Sequence, residues 1–433
     1  MRSRGFWLWL MLAAALGLAA WFVTGNPGVQ SSAAFGRWRD RWALTHLAVF
    51  YLAGMAWLRY GLGLTPRAWR RVAALHLGAL LIVIPAELCA WAELVDFRSM
   101  GALRHQRMGI TYAQPVEAGG MRWYGTPHLK LSGRALPDLA EEFGLAAVPR
   151  AYRFETDSYG LRNVLDETRE PEILCLGDSL LVGGLVAIED TLAARLTGET
   201  ERACLSVAEV EFGPQEEVLR LESTGISLAD KLVLQFVFEG NDLLDSRLWR
   251  EWAATGKKLD WPESGFMKNI LALVHKPVAR HTALRGAWFS DSAGAREEIF
   301  FMYSGPKVDE QLDELPVIEA VYGSLAQRLE QDGGRYALIL IPHKLRVLED
   351  IVEFPAQHEL AGGGQGPSGL SPALAAFCLE EGIPYLDLAT ALQAAAGAGE
   401  LPFFPKDTHL NEAGLATCAA AVGEWLGEQG LIR

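Results

Sequence analysis

For residues 166–433 the sequence predicts an α/β domain whose parallel sheet is covered by helices on both faces, and three observations predict it. Short runs rich in Ile, Leu, Val and Phe alternate with amphipathic stretches, the pattern of strands buried on both faces by crossover helices. The first run, Glu172-Ile173-Leu174-Cys175-Leu176, stops abruptly at Gly177-Asp178-Ser179-Leu180. Turn formers after a buried strand mark its carboxyl edge, where an open α/β sheet binds its ligands. The chain is also long enough for a large core, with 433 residues of which 50% are hydrophobic.

Strands are expected at 172–176, 203–208, 231–238, 336–341 and 384–388, with helices near 190–196, 215–222, 317–331, 374–381 and 412–428. Right-handed crossovers would bring the ends of the first and third strands, and the loop before the last helix, to one edge. Two insertions interrupt the alternation. The first, at about 244–315, carries Trp249, Trp252, Trp261, Trp288, Phe300, Phe301 and Tyr303. It is too long for a plain loop and is expected to form helices that cap or flank the site around a small apolar subcore. Sugar stacking and acyl-chain contact suit the same aromatic residues. The second, at 353–371, contains Gly362-Gly363-Gly364-Gln365-Gly366 and is expected to be mobile.

Residues 96–165 read as a linker or lead-in broken by Gly119-Gly120, Pro127 and Pro149, with a helix at 136–147. Its end, Thr156-Asp157-Ser158-Tyr159-Gly160, is a polar turn. It either lies beside the catalytic face or packs on the sheet edge.

Upstream, residues 1–95 hold apolar runs at 6–23, 42–58 and 72–91, each near the ~20 residues that cross a bilayer. The first is longer than a signal-peptide core and lacks a small-residue cleavage site, so it reads as an anchor. About three transmembrane helices are expected, with two spans plus a re-entrant segment as the alternative because Pro85 and Glu87 interrupt the third run. Arg2, Arg4, Arg59, Arg67, Arg70 and Arg71 slightly outweigh Arg37, Arg39 and Arg41, which puts the N-terminus inside and everything after about residue 95 outside the cytoplasm. In a bacterium that means the inner membrane, with the α/β domain in the periplasm. His46 and His76 within the runs read as interhelical hydrogen-bonding residues.

The net charge of −14 argues against nucleic acid as a partner. Five cysteines, an odd number, do not form a disulfide framework and read as free thiols. No His and carboxylate set has zinc-ligand spacing, and Gly183-Gly184 lacks the Lys-Ser/Thr of a phosphate loop, so neither metal nor cofactor is expected.

Gly-Asp-Ser by itself could be only a strand-to-helix turn. The far end of the chain changes that reading. Asp407-Thr408-His409 places a carboxylate and an imidazole just before the last helix, and a serine nucleophile needs a base whose tautomer a third group holds. Glu239-Gly240-Asn241-Asp242 follows another apolar strand and could aim an amide N–H at a developing oxyanion. His343, at the end of the fourth strand, is a second candidate base without a nearby acid.

In this order, the Gly177–Leu180, Gly240–Asp242 and Asp407–His409 blocks resemble the SGNH (GDSL) hydrolase superfamily, and the resemblance covers roughly residues 156–433. It implies a flavodoxin-like three-layer α/β/α fold and a serine esterase or O-acyltransferase working through an acyl-enzyme. Ser179 would be the nucleophile, His409 the base and Asp407 the acid. The oxyanion hole would comprise the N–H groups of Ser179 and Gly213 and the Asn241 amide. Pro342-His343-Lys344 is similar to membrane-associated members that handle O-acyl groups, which makes Lys344 a possible substrate contact. Two departures stand out: the family's acid sits three residues before the His, where this chain has Lys406, and the second block offers Gly213 alone. The shorter spacing occurs in SGNH-like proteins acting on exopolysaccharides. The implied substrate is therefore an acyl, notably acetyl, ester of a cell-envelope glycan or exopolysaccharide. A silent scaffold among envelope-polysaccharide assembly proteins and a lipase-like esterase of membrane lipids are the alternatives.

Overall fold

The computed structural model describes residues 65–91, 113–115, 121, 123–143, 145–164, 169–255, 285–355, 360 and 363–432. The chain divides into two compact units, residues 1–104 with 252–275, and residues 105–251 with 276–433. In the first unit, the expected spans at 6–23 and 42–58, with His46, lie outside the described residues. The third run lies on helix α1 (Pro66–Trp91), which contains Pro85 and exposes Leu75, Leu81, Ile82, Ile84 and Leu88. Among the described residues no helix is long and apolar enough to cross a membrane, so the expectation of three transmembrane helices is not carried by the structure.

The second unit begins with a lead-in that holds more regular structure than its broken sequence suggests. Short strands β1 (Ala113–Pro115) and β2 (Trp123–Gly125) pair antiparallel. Strands β3 (Lys130–Ala135) and β4 (Arg150–Glu155) form a second antiparallel pair, and between them α2 spans only Asp138–Phe143 of the expected helix.

The central sheet has strands β5 (Ile173–Gly177), β6 (Cys204–Ala208), β7 (Leu232–Phe238), β10 (Arg335–Ile341) and β11 (Tyr385–Asp387), close to the expected positions. All neighbours are parallel, in the spatial order β6-β5-β7-β10-β11. Taking these strands in sequence order this is 2-1-3-4-5, the flavodoxin-like arrangement, whose switch point lies between the first and third strands. Side chains alternate across the sheet. Ile173, Cys175, Leu234, Phe236, Ile339 and Ile341 face a core shared with α4 (Leu192–Thr200), α11 (Ala389–Gly397) and α12 (Glu412–Glu428). Leu174, Leu176, Val233, Val237, Leu338 and Leu340 face the other layer, α5 (Pro214–Thr224), α8 (Leu315–Gln331) and α10 (Leu370–Glu381). Each such side chain contributes roughly 2 kcal/mol when fully buried, which is why β5 and β7 tolerate almost no polar residues. The five cysteines are free thiols.

The first insertion differs from expectation. Helix α6 (Asp242–Thr255) forms, and residues 256–284, including Trp261, lie outside the described residues; but β8 (Arg285–Ser290) and β9 (Arg296–Phe301) form an antiparallel hairpin. Ala287, Phe289, Ile299 and Phe301 alternate inward and join the main core rather than a separate one. Alternation at period two was present in 285–301 and outweighs helical propensity once one face can be buried. The described part of the second insertion is tied down: Gln365 and Gly366 donate their N–H groups to the Glu349 carboxylate, and Gly369 donates to Asp309.

Candidate active site

At the carboxyl edge of β5 the chain turns into a four-residue helix, α3 (Ser179–Val182). Asp178 caps it, its Oδ1 accepting the Leu180 N–H at 2.9 Å, so the residue before Ser179 shapes the turn. Asp178 is buried, and burial raises its pKa. Burial also pushes Glu217 and Asp242 behind the turn well above the usual carboxylate range, with Asp178 adding to the effect.

The loop before α12 brings the other two members. His409 Nε2 lies 2.9 Å from Ser179 Oγ, and His409 Nδ1 lies 2.6 Å from Asp407 Oδ1. The spacing of two residues works because Asp407 Oδ1 also accepts the backbone N–H of His409 at 2.9 Å, folding the acid under the ring. Lys406, at the family's usual acid position, points away and donates to the Ala146 carbonyl at 2.6 Å. Asn411 caps α12 by accepting the Gly414 N–H at 2.9 Å, which fixes where the loop ends.

Burial lowers the affinity of His409 for a proton, but Asp407, its hydrogen bond, Asp138 and Asp178 more than offset this and raise the pKa to about 9. Burial likewise pushes Asp407 up, while His409 and the hydrogen bonds hold it below its ordinary value. Two consequences follow for pH. Ester turnover measured as kcat/KM is expected to climb with unit slope until about pH 9, as the imidazolium gives up the proton that bars it from acting as base. The folded-state pKa lies above the unfolded value of about 6.5, so the stability that His409 contributes is fully present below that value and is lost as pH rises through about 9. A pH-rate profile together with thermal unfolding at pH 6 and pH 9.5 checks both.

Asn241 and Gly213 follow β7 and β6, the strands that flank β5. Asp242 Oδ2 accepts the Phe238 N–H at 2.8 Å and closes the turn that carries Asn241. One amide hydrogen of Asn241 goes to Asp245 at 2.6 Å, which leaves Nδ2 a second hydrogen for an oxyanion. Gly213 starts α5 and lies against the same first turn of α6: a Cβ there would meet the Ser246 N at 2.6 Å.

Lys344 differs from the sequence expectation. It is buried, and its ammonium donates to the carbonyls of Phe300 at 3.2 Å, Phe404 at 2.7 Å, Pro405 at 3.3 Å and Asp407 at 2.5 Å. It therefore stitches β9 to the catalytic loop, where a substrate contact was expected. Burial lowers its pKa to about 8 against the pull of Asp407, Asp138 and Glu297. Lys344→Met is expected to cost about 3 kcal/mol of stability by orphaning buried carbonyls, and to lower kcat more than it changes KM. Denaturant unfolding and steady-state kinetics on the same preparation check this.

His343 is not the base. It is buried, its Nδ1 accepts the Arg346 N–H at 3.3 Å, and burial together with Arg346 lowers its pKa to about 3. The residues that follow the lead-in turn join it to the sheet edge and to α3. Asn163 pairs with Ser206 on edge strand β6, through N–H to Oδ1 at 2.7 Å and Nδ2 to carbonyl at 3.0 Å. The Arg162 guanidinium donates to the carbonyls of Val182 at 2.7 Å, Gly183 at 2.5 Å and Val186 at 2.7 Å, immediately behind α3.

One residue was missed. Asp138, at the start of α2, donates its backbone N–H to Asp407 Oδ2 at 2.7 Å, and its carboxylate Oδ2 lies 3.7 Å from His409 Nδ1. Its only sequence signal was Pro137-Asp138 at a helix start, which any N-terminal acid would give. Asp138, Asp407 and His409 bring ligand atoms within 4.8 Å of one another, as a metal would require, but each already takes part in the hydrogen bonds described.

A 2-1-3-4-5 parallel sheet with Ser after its first strand, Asn after its third and Asp-x-His before its last helix is the arrangement expected from the resemblance to SGNH/GDSL hydrolases, and a family-model match over part of the chain supports that superfamily. Residues 307–432 match the family model described as SGNH hydrolase-like domain, acetyltransferase AlgX, a stretch that holds Asp407 and His409. Among solved structures, an acetyl xylan esterase is similar at 12% identity and a TM-score of 0.31, over 59% of this chain and 98% of its own. A Bacillus subtilis protein is similar at 12% identity and a TM-score of 0.32, over 66% of this chain and 64% of its own. No curated protein sequence matches the chain.

Proposed function

We propose that the protein is a membrane-anchored, extracytoplasmic SGNH-type serine esterase or O-acyltransferase that moves short acyl groups, acetyl foremost, on a cell-envelope glycan or exopolysaccharide. The observation that carries the chemistry is the continuous relay from Ser179 Oγ through His409 to Asp407, with spacings of 2.9 and 2.6 Å. His409 Nε2 takes the hydroxyl proton as Oγ attacks the ester carbonyl, then returns it to the departing alcohol; Asp407 stabilises the imidazolium. The N–H groups of Ser179 and Gly213 and the Asn241 amide hold the oxyanion, each such donor being worth about 3 kcal/mol of barrier. Water or a sugar hydroxyl then attacks the acyl-enzyme by the reverse route, so hydrolysis and transfer differ only in the acceptor.

The AlgX-type match supports acetyl transfer, and the exposed apolar residues of α1 with the runs upstream support a bacterial inner-membrane anchor and a periplasmic domain. Envelope-polysaccharide assembly proteins are the partners this reading implies. The test is turnover of p-nitrophenyl acetate, butyrate and octanoate by the full chain in detergent, with and without oligosaccharide acceptors, beside Ser179→Ala. Turnover that favours acetate and vanishes in the variant supports the reading. Absence of turnover and of serine-directed fluorophosphonate labelling would favour a scaffold, and preference for octanoate a lipase.

A further inference from the structure

We infer that Asp138 is a positioning residue of the triad, a second carboxylate that holds the Asp407–His409 pair in place and supports the charge on His409. The inference rests on the esterase reading for its catalytic meaning but on geometry for its substance.

Asp138 lies 269 residues before Asp407, in the lead-in rather than in the hydrolase core. Its backbone N–H occupies the Asp407 oxygen that does not face His409, at 2.7 Å, so Asp407 presents only Oδ1 to the ring. Its side chain clamps the residue between the two: Thr408 donates its N–H to Asp138 Oδ1 at 2.9 Å and its hydroxyl to Oδ2. With Oδ2 at 3.7 Å from His409 Nδ1, Asp138 is near enough to act on the ring by charge without competing for its proton. Further bonds hold the lead-in on the same loop. Ala140 N–H donates to Lys406 O at 3.3 Å, Lys406 Nζ to Ala146 O at 2.6 Å, and Arg150 pairs with Glu412 at 2.5 Å while stacking 4.4 Å over Phe404. A helix that only packed would not need its first acid bonded to both Asp407 and Thr408.

The charges that bear on His409 are those of Asp407, Asp138 and Asp178; those that bear on Asp138 are Asp407, His409 and Lys344. Burial and Asp407 raise Asp138 to about 6, against the opposing pull of His409, Thr408 and Lys344. It is therefore ionised over the range in which His409 titrates.

The experiment follows the His409 ring by selectively labelled NMR in the full chain, with Asp138→Asn and Asp138→Glu as the test pair. Asn keeps the shape without the charge; Glu keeps the charge without the shape. The expected result is a His409 titration lowered by about one pH unit in Asp138→Asn and nearly unmoved in Asp138→Glu, with the rising limb of kcat/KM moving in step. An unmoved titration in Asp138→Asn, or equal shifts in both variants, would overturn the inference. Should either variant fail to fold, the unsubstituted protein still decides: its His409 resonances are expected to inflect twice, near pH 6 and near pH 9, and a single inflection refutes the coupling. Because the titration needs no turnover, a protein without Ser179-dependent esterase activity would sink the functional reading and leave this one standing.

Discussion

Ser179→Ala is expected to lower ester turnover by at least about a thousandfold, with KM little changed and the fold intact. The hydroxyl it removes meets only the base at 2.9 Å and the Asp178 carboxylate at 3.5 Å, so its loss opens no cavity of consequence and orphans no buried donor. Thermal unfolding should stay within about two degrees of the parent. His409→Ala should cost as much, and the double variant little more than either, because nucleophile and base act as one unit. Additive losses would mean that the two residues work separately, and a Ser179→Ala enzyme with parental turnover would remove the acyl-enzyme from the mechanism.

Arg162→Ala is expected to carry the largest stability effect, about 3–5 kcal/mol, and to lower turnover as well. Arg162 is buried with its guanidinium between Phe154, whose ring centre lies 5.3 Å away, and the carbonyls of Val182, Gly183, Val186 and Arg153. Burial lowers its pKa to about 10, so it remains charged at neutral pH and serves as the cation for carbonyls that end and follow α3. Truncation removes the guanidinium donors, leaving the Gly183 carbonyl only its bond from the Val186 N–H at 3.1 Å, and loosens the turn that carries Ser179. Arg162→Lys should recover only part of the loss, since one ammonium cannot match a planar fork of five donors. Urea unfolding of the three proteins, read beside their kcat, checks this; equal stability of parent and Arg162→Ala would show that water replaces the guanidinium without cost.

Much of the site was legible because its members sit at places where local chemistry is restrictive. Ser179 follows an unbroken apolar strand, Asn241 follows another, and His409 precedes a capped helix, so residue type and strand context point to the same edge. The five core strands were legible for the same reason. Burial on both faces leaves a near-continuous apolar run, which few other structures produce. The β8–β9 hairpin was harder, since its alternation is short and four of its twelve strand residues are charged, and only a waiting core face decided in its favour. The carbonyls that surround Lys344 were not legible, because they come from β9 and the loop before α12, far from it in sequence.

By itself, then, the sequence determined the α/β class and the strand positions and singled out Ser179 and the Asp-x-His pair as candidates, since each depends on neighbours within a few residues. Only the tertiary structure decided the 2-1-3-4-5 order, the commitment of Lys344 to four carbonyls, the dismissal of His343 and the arrival of Asp138 beside Asp407. Those depend on contacts between segments up to 269 residues apart, and a contact of that range leaves no periodicity, cap or turn signal in the chain that makes it.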